Sequence, residues 1–314
     1  MKGNANQSTL HAAQGSSAEL IHELGMALYI GGALIFLLVI ALTIYGVAAG
    51  PQRINVRRWI IGGGLAFPVV TLIALLVYSV SVSNALHTHT PDDSLRVHIT
   101  AKQWWWEVRY ERSDTDSVVL ANELHIPIGQ PVELILTTSD VIHSFWVPAL
   151  AGKVDMIPGR SNRLIIKTQE AGVYRGQCAE FCGLQHALMA FYVIAEPEAQ
   201  FNNWLARQAE PIHIAEDLSQ EDGLPSGHDL FFSGGCAACH TIRGTAAIAT
   251  LGPDLTHIGS RHSLAAGILR NHIGTMAGWI AAAQDVKPGN AMPSTNVHTG
   301  QELRTLAAWL ENLE

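Results

Sequence analysis

Apolar positions fall into two long unbroken runs near the N-terminus and into short alternating runs after residue 90. Residues 24–52 carry no charge, and neither do residues 59–86. A membrane-spanning helix needs roughly 20 such residues, so both runs predict spanning helices rather than two core helices of a soluble protein. A secretory leader is a poor reading of the first run, because residues 1–20 ahead of it are mostly polar and the run exceeds the ~7–15 apolar residues of a leader core. The period then changes to two. Leu95-Arg96-Val97-His98-Ile99-Thr100 alternates apolar and polar positions, and residues 118–120, 132–136, 163–166 and 190–195 continue the strand signal. Pro127, Gly129, Pro131, Pro158, Gly159 and Gly172 punctuate these strands, a spacing that predicts a Greek-key β-sandwich. Phe201, Trp204 and Leu205 have helical spacing and predict a short docking helix. Residues 227–232 predict the first helix of a C-terminal all-α unit, and residues 303–313, apolar at 303, 306, 307 and 310, its closing helix.

These signals divide the chain into a tail (1–20), a helix hairpin (21–90), a sandwich (91–196), an acidic docking helix with a linker (197–222) and an all-α domain (223–314). A length of 314 residues suits two domains plus extras. Arg53, Arg57 and Arg58 lie between the two apolar runs, whereas the tail has only Lys2. The positive-inside rule places that link in the cytoplasm, with the tail and everything after residue 86 outside. The expected location is therefore a bacterial inner membrane, crossed twice, with both globular domains on the periplasmic side. Net charge is −8, and residues 196–222 hold seven acids against the single base Arg207, six of those eight charges. That segment reads as a solvated acidic surface able to steer a basic partner. No nucleic-acid partner is expected.

Cys236-Ala237-Ala238-Cys239-His240 is the C-x-x-C-H pattern of covalent c-type haem attachment. The two sulfurs form thioethers, and His240 becomes an axial iron ligand. A disulfide or half of a zinc site are the plain alternatives, but no second C-x-x-C completes a four-cysteine site. The other two cysteines lie in Gly176-Gln177-Cys178-Ala179-Glu180-Phe181-Cys182-Gly183-Leu184-Gln185-His186-Ala187-Leu188-Met189, with His143 upstream. Two thiolates, two imidazoles and a thioether are a soft ligand set for copper. A Cys178–Cys182 disulfide is an alternative outside the cell, yet it leaves His143, His186 and Met189 unexplained. A copper-delivery thiol protein is a better rival, but it needs neither Met189 nor a haem.

On this block and His143, the chain resembles cytochrome c oxidase subunit II, which carries a dinuclear copper (CuA) site, as far as about residue 196. The remainder resembles a class I cytochrome c. Together they resemble the oxidase subunits with a fused cytochrome c. The resemblance implies a cupredoxin-like sandwich in which Cys178 and Cys182 bridge two coppers and His143 and His186 each cap one. Met189 and the Glu180 carbonyl are then weak ligands. It implies that Trp104, in Gln103-Trp104-Trp105-Trp106, is the point where electrons enter, on an exposed aromatic patch. Asp155 and Arg160 would lie near the catalytic subunit, and the Glu180 side chain would meet magnesium or manganese there. Gly252-Pro253-Asp254-Leu255 matches the segment that supports the proximal histidine. Met292-Pro293 matches the loop that supplies the sixth iron ligand, ahead of Met276, His257, His262, His272 and His298.

The implied function is an electron-entry subunit of a respiratory haem–copper terminal oxidase. It would pass electrons from a soluble or membrane-bound cytochrome c-type donor, through haem c and CuA, to a catalytic subunit I that reduces dioxygen and pumps protons. A subunit III is expected alongside. A membrane nitric oxide reductase would share the same relay, and a copper chaperone or redox sensor is the rival from another class. A quinol-fed oxidase is disfavoured, because all copper ligands are present. Many members of the family have a glutamate just before the second helix, where this chain has Asn55-Val56-Arg57-Arg58-Trp59. The proton-channel mouth must then be formed differently.

Overall fold

The computed structural model describes residues 13–50, 54–86, 94–113, 116–212, 225–295 and 297–314. Lys2 of the tail, Arg53 of the link and the linker acids Glu216, Asp217, Glu221 and Asp222 lie outside the described residues.

Helix α1 spans Ser16–Ala48 and α2 spans Val56–Leu86. Asn55 starts α2 by accepting the Arg58 N–H at 3.1 Å, an N-cap that satisfies one free backbone donor. Ile60–Ala66 within α2 winds as π-helix, through three consecutive glycines. Leu34, Phe36, Leu37, Leu72 and Leu76 are among many large apolar side chains left exposed. Helices apolar on every face and longer than 18 residues suit a bilayer. Helix α1 begins at Ser16 rather than after a free tail to residue 20. The Gln14 N–H donates to the Ala149 carbonyl at 2.8 Å and the Ala18 N–H to that of Leu150 at 3.3 Å. The N-terminal end of α1, with Glu19, is therefore fastened to the sandwich.

The sandwich has two five-stranded sheets, ordered β3-β2-β1-β5-β8 and β4-β10-β9-β6-β7. The first contains β1 (Leu95–Lys102), β2 (Trp105–Ser113), β3 (Asp116–Ala121), β5 (Val132–Thr138) and β8 (Asn162–Ile166). The second contains β4 (Glu123–Pro127), β6 (His143–Trp146), β7 (Val154–Met156), β9 (Gly172–Cys178) and β10 (Ala190–Glu196). The β1–β5 and β4–β10 pairs are parallel, and the other ladders are antiparallel. Alternation along β1 buries Val97, Ile99 and Ala101, as the period-two pattern requires. They join Leu134, Leu136, Trp106, Phe145 and Phe191 between the sheets. This is the expected cupredoxin-like fold. A Cβ on Gly176 would lie 2.1 Å from the Phe191 ring, so β9 can cross that ring only as glycine, just before it delivers Cys178.

Helix α3 (Glu198–Ala209) buries Phe201 and Trp204 against the sandwich. Trp204 stacks on His125 with ring centroids 3.7 Å apart and planes 8° from parallel. His125 Nδ1 lies 2.9 Å from Glu196 Oε1, and its Nε2 lies 3.9 Å from Glu123 Oε2. Burial opposes protonation of this ring, but the two carboxylates outweigh burial and hold His125 above the ordinary histidine range. The folded state then binds a proton that the unfolded chain releases near pH ~6.5. Its contribution is complete below that pH and is lost as pH rises through the raised value. We expect the sandwich to melt higher at about pH 6 than at about pH 9, and His125→Asn to shrink that difference. Equal differences in both proteins, followed by tryptophan fluorescence, would exclude this role.

The C-terminal domain contains α4 (Gly227–Ser233), a small hairpin β11 (Ser263–Leu264) and β12 (Leu269–Arg270), α5 (Ile273–Val286) and α6 (Gly300–Glu311). Ser226 caps α4, and Thr299 with Glu302 forms a capping box on α6. Leu230, Phe231, Ile280, Leu306, Trp309 and Leu310 make its core. It is fastened to the rest of the chain by polar contacts. Arg243 donates to the carbonyls of Gln208 at 2.7 Å and Ala209 at 3.1 Å, which closes the C-terminal end of α3 with a cation. The buried Glu123 carboxylate accepts the backbone N–H groups of His262 and of Ser263, the first residue of β11.

Candidate metal centre and haem site

One end of the sandwich gathers the sulfur and imidazole side chains. Strand β6 opens with His143, β9 ends with Cys178, and Cys182, His186 and Met189 follow in the loop before β10. Cys178 and Cys182 are free thiols with sulfurs 3.7 Å apart, well beyond the ~2.05 Å of a disulfide. Cys178 Sγ lies 3.8 Å from His143 Nδ1 and 3.2 Å from the Glu180 carbonyl. Cys182 Sγ lies 3.7 Å from His186 Nδ1 and 3.8 Å from Met189 Sδ. Each sulfur thus has one imidazole and one weak donor beside it. The ligand atoms of His143, Cys178 and Cys182 all lie within 4.8 Å of one another, and these residues are buried.

The surroundings orient and charge this cluster. His143 is fully buried, and its Nε2 lies 2.7 Å from Asp140 Oδ1, which turns Nδ1 toward the sulfurs. Asp140 is itself held by the N–H groups of Gln103 at 2.6 Å and Val141 at 2.7 Å. Trp106 meets His143 edge-on at 6.3 Å, tying the ligand to the core. The hydrogen bond from Cys182 holds the Cys178 thiol well below the usual thiol range, and the same contact pushes Cys182 above it. Burial opposes a charge on His143, but Cys178 and Asp140 outweigh it and raise its pKa. A dry, pre-arranged set of thiolate, imidazole and thioether fits copper.

Around this end, Glu180 turns its carboxylate to Lys153 at 3.4 Å, which also holds Asp155 at 2.9 Å. That contact, with Ser144, keeps Asp155 below the ordinary carboxylate range. Arg160 is exposed on the following turn. Val141, Ile142 and Phe181 form exposed apolar surface beside these charges. Trp104 departs from the exposed position expected of it, with only 9 % of its surface accessible. Its ring donates from Nε1 to the Cys182 carbonyl at 2.9 Å, and the C-terminal domain covers it.

In the C-terminal domain, Cys236 and Cys239 flank a single 3-10 turn as free, half-buried thiols. His240 follows, and its Nδ1 lies 2.8 Å from the Pro253 carbonyl. That bond assigns the proton to Nδ1 and leaves Nε2 as the coordinating lone pair. Burial holds His240 below the ordinary histidine range, so the ring is neutral. A Cβ on Gly252 would come within 2.6 Å of the His240 ring, so this glycine seats the imidazole. The donor set and its proline-backed histidine fit a covalent haem. Met292 is partly buried at the edge of the core. Its N–H donates to Asn290 Oδ1, and its carbonyl accepts from Gln284 Nε2, both at 2.7 Å. Met276 is enclosed in the core, His257 donates from Nε2 to the Glu210 carbonyl at 2.9 Å, and His272 caps α5. His298 lies in a loop, half-buried against Gly234, with an Nε2 that has no hydrogen-bond partner among the described residues.

Asp140 was not singled out from sequence, although an acid three residues before a ligand histidine is a usable signal. Lys287 and Gln185 carry no such signal.

The family model for the periplasmic domain of cytochrome c oxidase subunit II matches residues 113–196, and the cytochrome c model matches residues 226–314. Cytochrome c oxidase subunit 2 of Alkalihalophilus pseudofirmus is 33% identical over 253 residues, covering 79% of this chain and 71% of the relative. The subunit of the same name from Bacillus sp. strain PS3 is 30% identical over 264 residues, covering 79% and 72%. The crystallised periplasmic domain of subunit II of cytochrome oxidase from Bradyrhizobium japonicum is 30% identical, covers 38% of this chain and 96% of its own, and has a TM-score of 0.36. With relatives matched over most of their length and both domain models in sequence, the chain belongs to the cytochrome c oxidase subunit 2 family, in the form that carries a C-terminal cytochrome c domain.

Proposed function

We propose that this subunit of a haem–copper oxidase holds two redox centres in series, so that electrons from a cytochrome c-type donor reach a separate oxygen-reducing subunit. The observation that carries this reading is the buried cluster of Cys178, Cys182 and His143, with the half-buried His186 beside it, beneath a docked haem-binding domain. Bound copper and haem would supply reversible one-electron exchange. The chain's own work is positional. Cys178 and Cys182 would bridge two copper ions, His143 and His186 would cap them, and Met189 and the Glu180 carbonyl would complete them weakly. Cys236 and Cys239 would anchor haem c between His240 and Met292, a His/Met pair that raises the potential toward that of a donor. Rigid strands on either side keep the copper ligands from moving when charge changes.

Val141, Ile142 and Phe181, with Asp155, Arg160 and Glu180, form the face we assign to catalytic subunit I; a subunit III would complete the complex. A magnesium or manganese ion shared there would take the Glu180 carboxylate from Lys153. The fastening of α1 to the sandwich supports placing both globular domains on the periplasmic side, with Arg57 and Arg58 in the cytoplasm. We keep the division into tail, hairpin (21–90), sandwich, docking helix with linker and C-terminal domain as part of this proposal.

The test is purification from membranes in mild detergent, followed by gas uptake with a reduced cytochrome donor. Cyanide-sensitive oxygen uptake with a retained large subunit is the expected result. Nitric oxide consumption without oxygen uptake would reassign the complex, and neither activity with no retained partner would overturn the relay.

A further inference from the structure

We propose that Lys287 is a positioning residue that locks the haem domain over Trp104 and holds the methionine loop against the copper loop. Lysine is almost never fully buried without a partner, yet Lys287 is 2 % exposed. Its ammonium donates to the Trp104 carbonyl of the sandwich at 3.0 Å and to the Ala265 carbonyl of its own domain at 3.2 Å. Burial lowers it to about 8, and the site holds a desolvated amine with carbonyl acceptors and, among the described residues, no ion-pair acid. An apolar side chain would fill the space and leave two buried carbonyls without a donor. Lysine here therefore supplies the donor that joins the two domains.

The neighbouring contacts share that geometry. Gln185, beside His186, donates to the Pro288 carbonyl at 2.7 Å. A Cβ on Gly289 would lie 3.2 Å from Leu184 and 3.9 Å from the Trp104 ring. The Trp104 ring in turn donates to Cys182. The loop of Lys287, Pro288 and Gly289 that leads to Met292 thus lies on the indole that touches the copper loop. Resting on the relay proposed above, this closes Trp104 to a soluble donor. Electrons from outside reach it only through the haem domain, one at a time, as the haem iron is oxidised and the copper centre reduced.

The test is Lys287→Met in the intact purified oxidase, with two readouts. The first is hydrogen exchange at amides that donate across the interface, Ala190 to Ala266 and Ser263 to Glu123. We expect exchange to quicken about tenfold or more as the interface opens. The second is haem-to-copper electron transfer after photochemical reduction of the haem. It should slow about tenfold or more, as misplaced redox partners do, with kcat falling, KM for the cytochrome donor unchanged and both optical spectra unchanged. Native protection and a native transfer rate in Lys287→Met would overturn the proposal. If that variant does not accumulate, Gln185→Ala decides, and unchanged exchange there overturns it. A wild-type enzyme with no haem-to-copper transfer at all would sink the relay itself while leaving the exchange result to judge the lock.

Discussion

Replacing Cys182 by serine is expected to lower oxygen uptake more than about 100-fold, beyond the 10–100-fold usual for losing a residue that only supports a ligand. Cys182 is the one residue that touches both halves of the cluster's far side. Its sulfur is 3.7 Å from Cys178, 3.7 Å from His186 and 3.8 Å from Met189. A serine oxygen is a hard donor that binds copper poorly and cannot bridge as a thiolate does. Cys178 also loses the hydrogen bond that contributes most to holding its thiol low. The copper content should fall to about half or less, with the mononuclear remainder on Cys178 and His143. Folding should persist, because Trp106, Phe145 and Phe191 pack beneath the site independently of the loop. The check is metal analysis together with oxygen uptake and haem spectra on the same sample. Full copper content with normal uptake would remove Cys182 from the ligand set. Loss of haem as well would point to misfolding, and Cys182→Ala at reduced temperature would then separate the two effects.

Much of this arrangement was legible from the chain alone, for physical reasons that differ by element. The apolar helices announce themselves because a bilayer leaves no polar option over their length. The β1 pattern was readable because one face of the sheet is dry, which forces the alternation of Val97, Ile99 and Ala101. The candidate copper and haem residues were readable as a group because their spacing is local: His186 and Met189 follow Cys182 within one loop, and His240 adjoins Cys239. What was not legible is long-range and polar. Nothing around Lys287 in sequence indicates that its amine ends on a carbonyl 183 positions away. No sequence signal marks Glu123, yet it is 4 % exposed and receives the backbone of β11. Trp104 was expected on the surface because the sandwich alone would leave it there; the docked haem domain buries it. Helix α1 starts early for a similar reason, since its first turn bonds to Ala149 and Leu150 rather than to water.

Met292, the sixth haem ligand we propose, gives the second large effect, because in the proposed relay it sets the potential of the first centre. Met292→His should lower the haem midpoint by more than about 59 mV, a tenfold shift in the one-electron equilibrium toward copper, since methionine ligation is what raises it. The loop is built to present this side chain. Asn290 Oδ1 takes the Met292 N–H, and the Asn290 amide donates back to the carbonyls of Ala283 and Lys287. Gln284 then holds the Met292 carbonyl, so the backbone is fixed on both sides and the thioether is the free element. Potentiometric titration of the haem, followed optically, is the check. A lower midpoint with covalent haem retained, and oxygen uptake from a cytochrome donor reduced about tenfold or more, is the expected outcome. The competing ligand in this domain is His298, whose Nε2 is buried without a partner among the described residues. If Met292→His leaves the midpoint in place and His298→Ala shifts it, the iron is held by His298 and the Met292 loop serves only to dock against the copper domain. The sign of the shift also separates the cases, because removing a histidine ligand does not lower the potential in the way that removing methionine does.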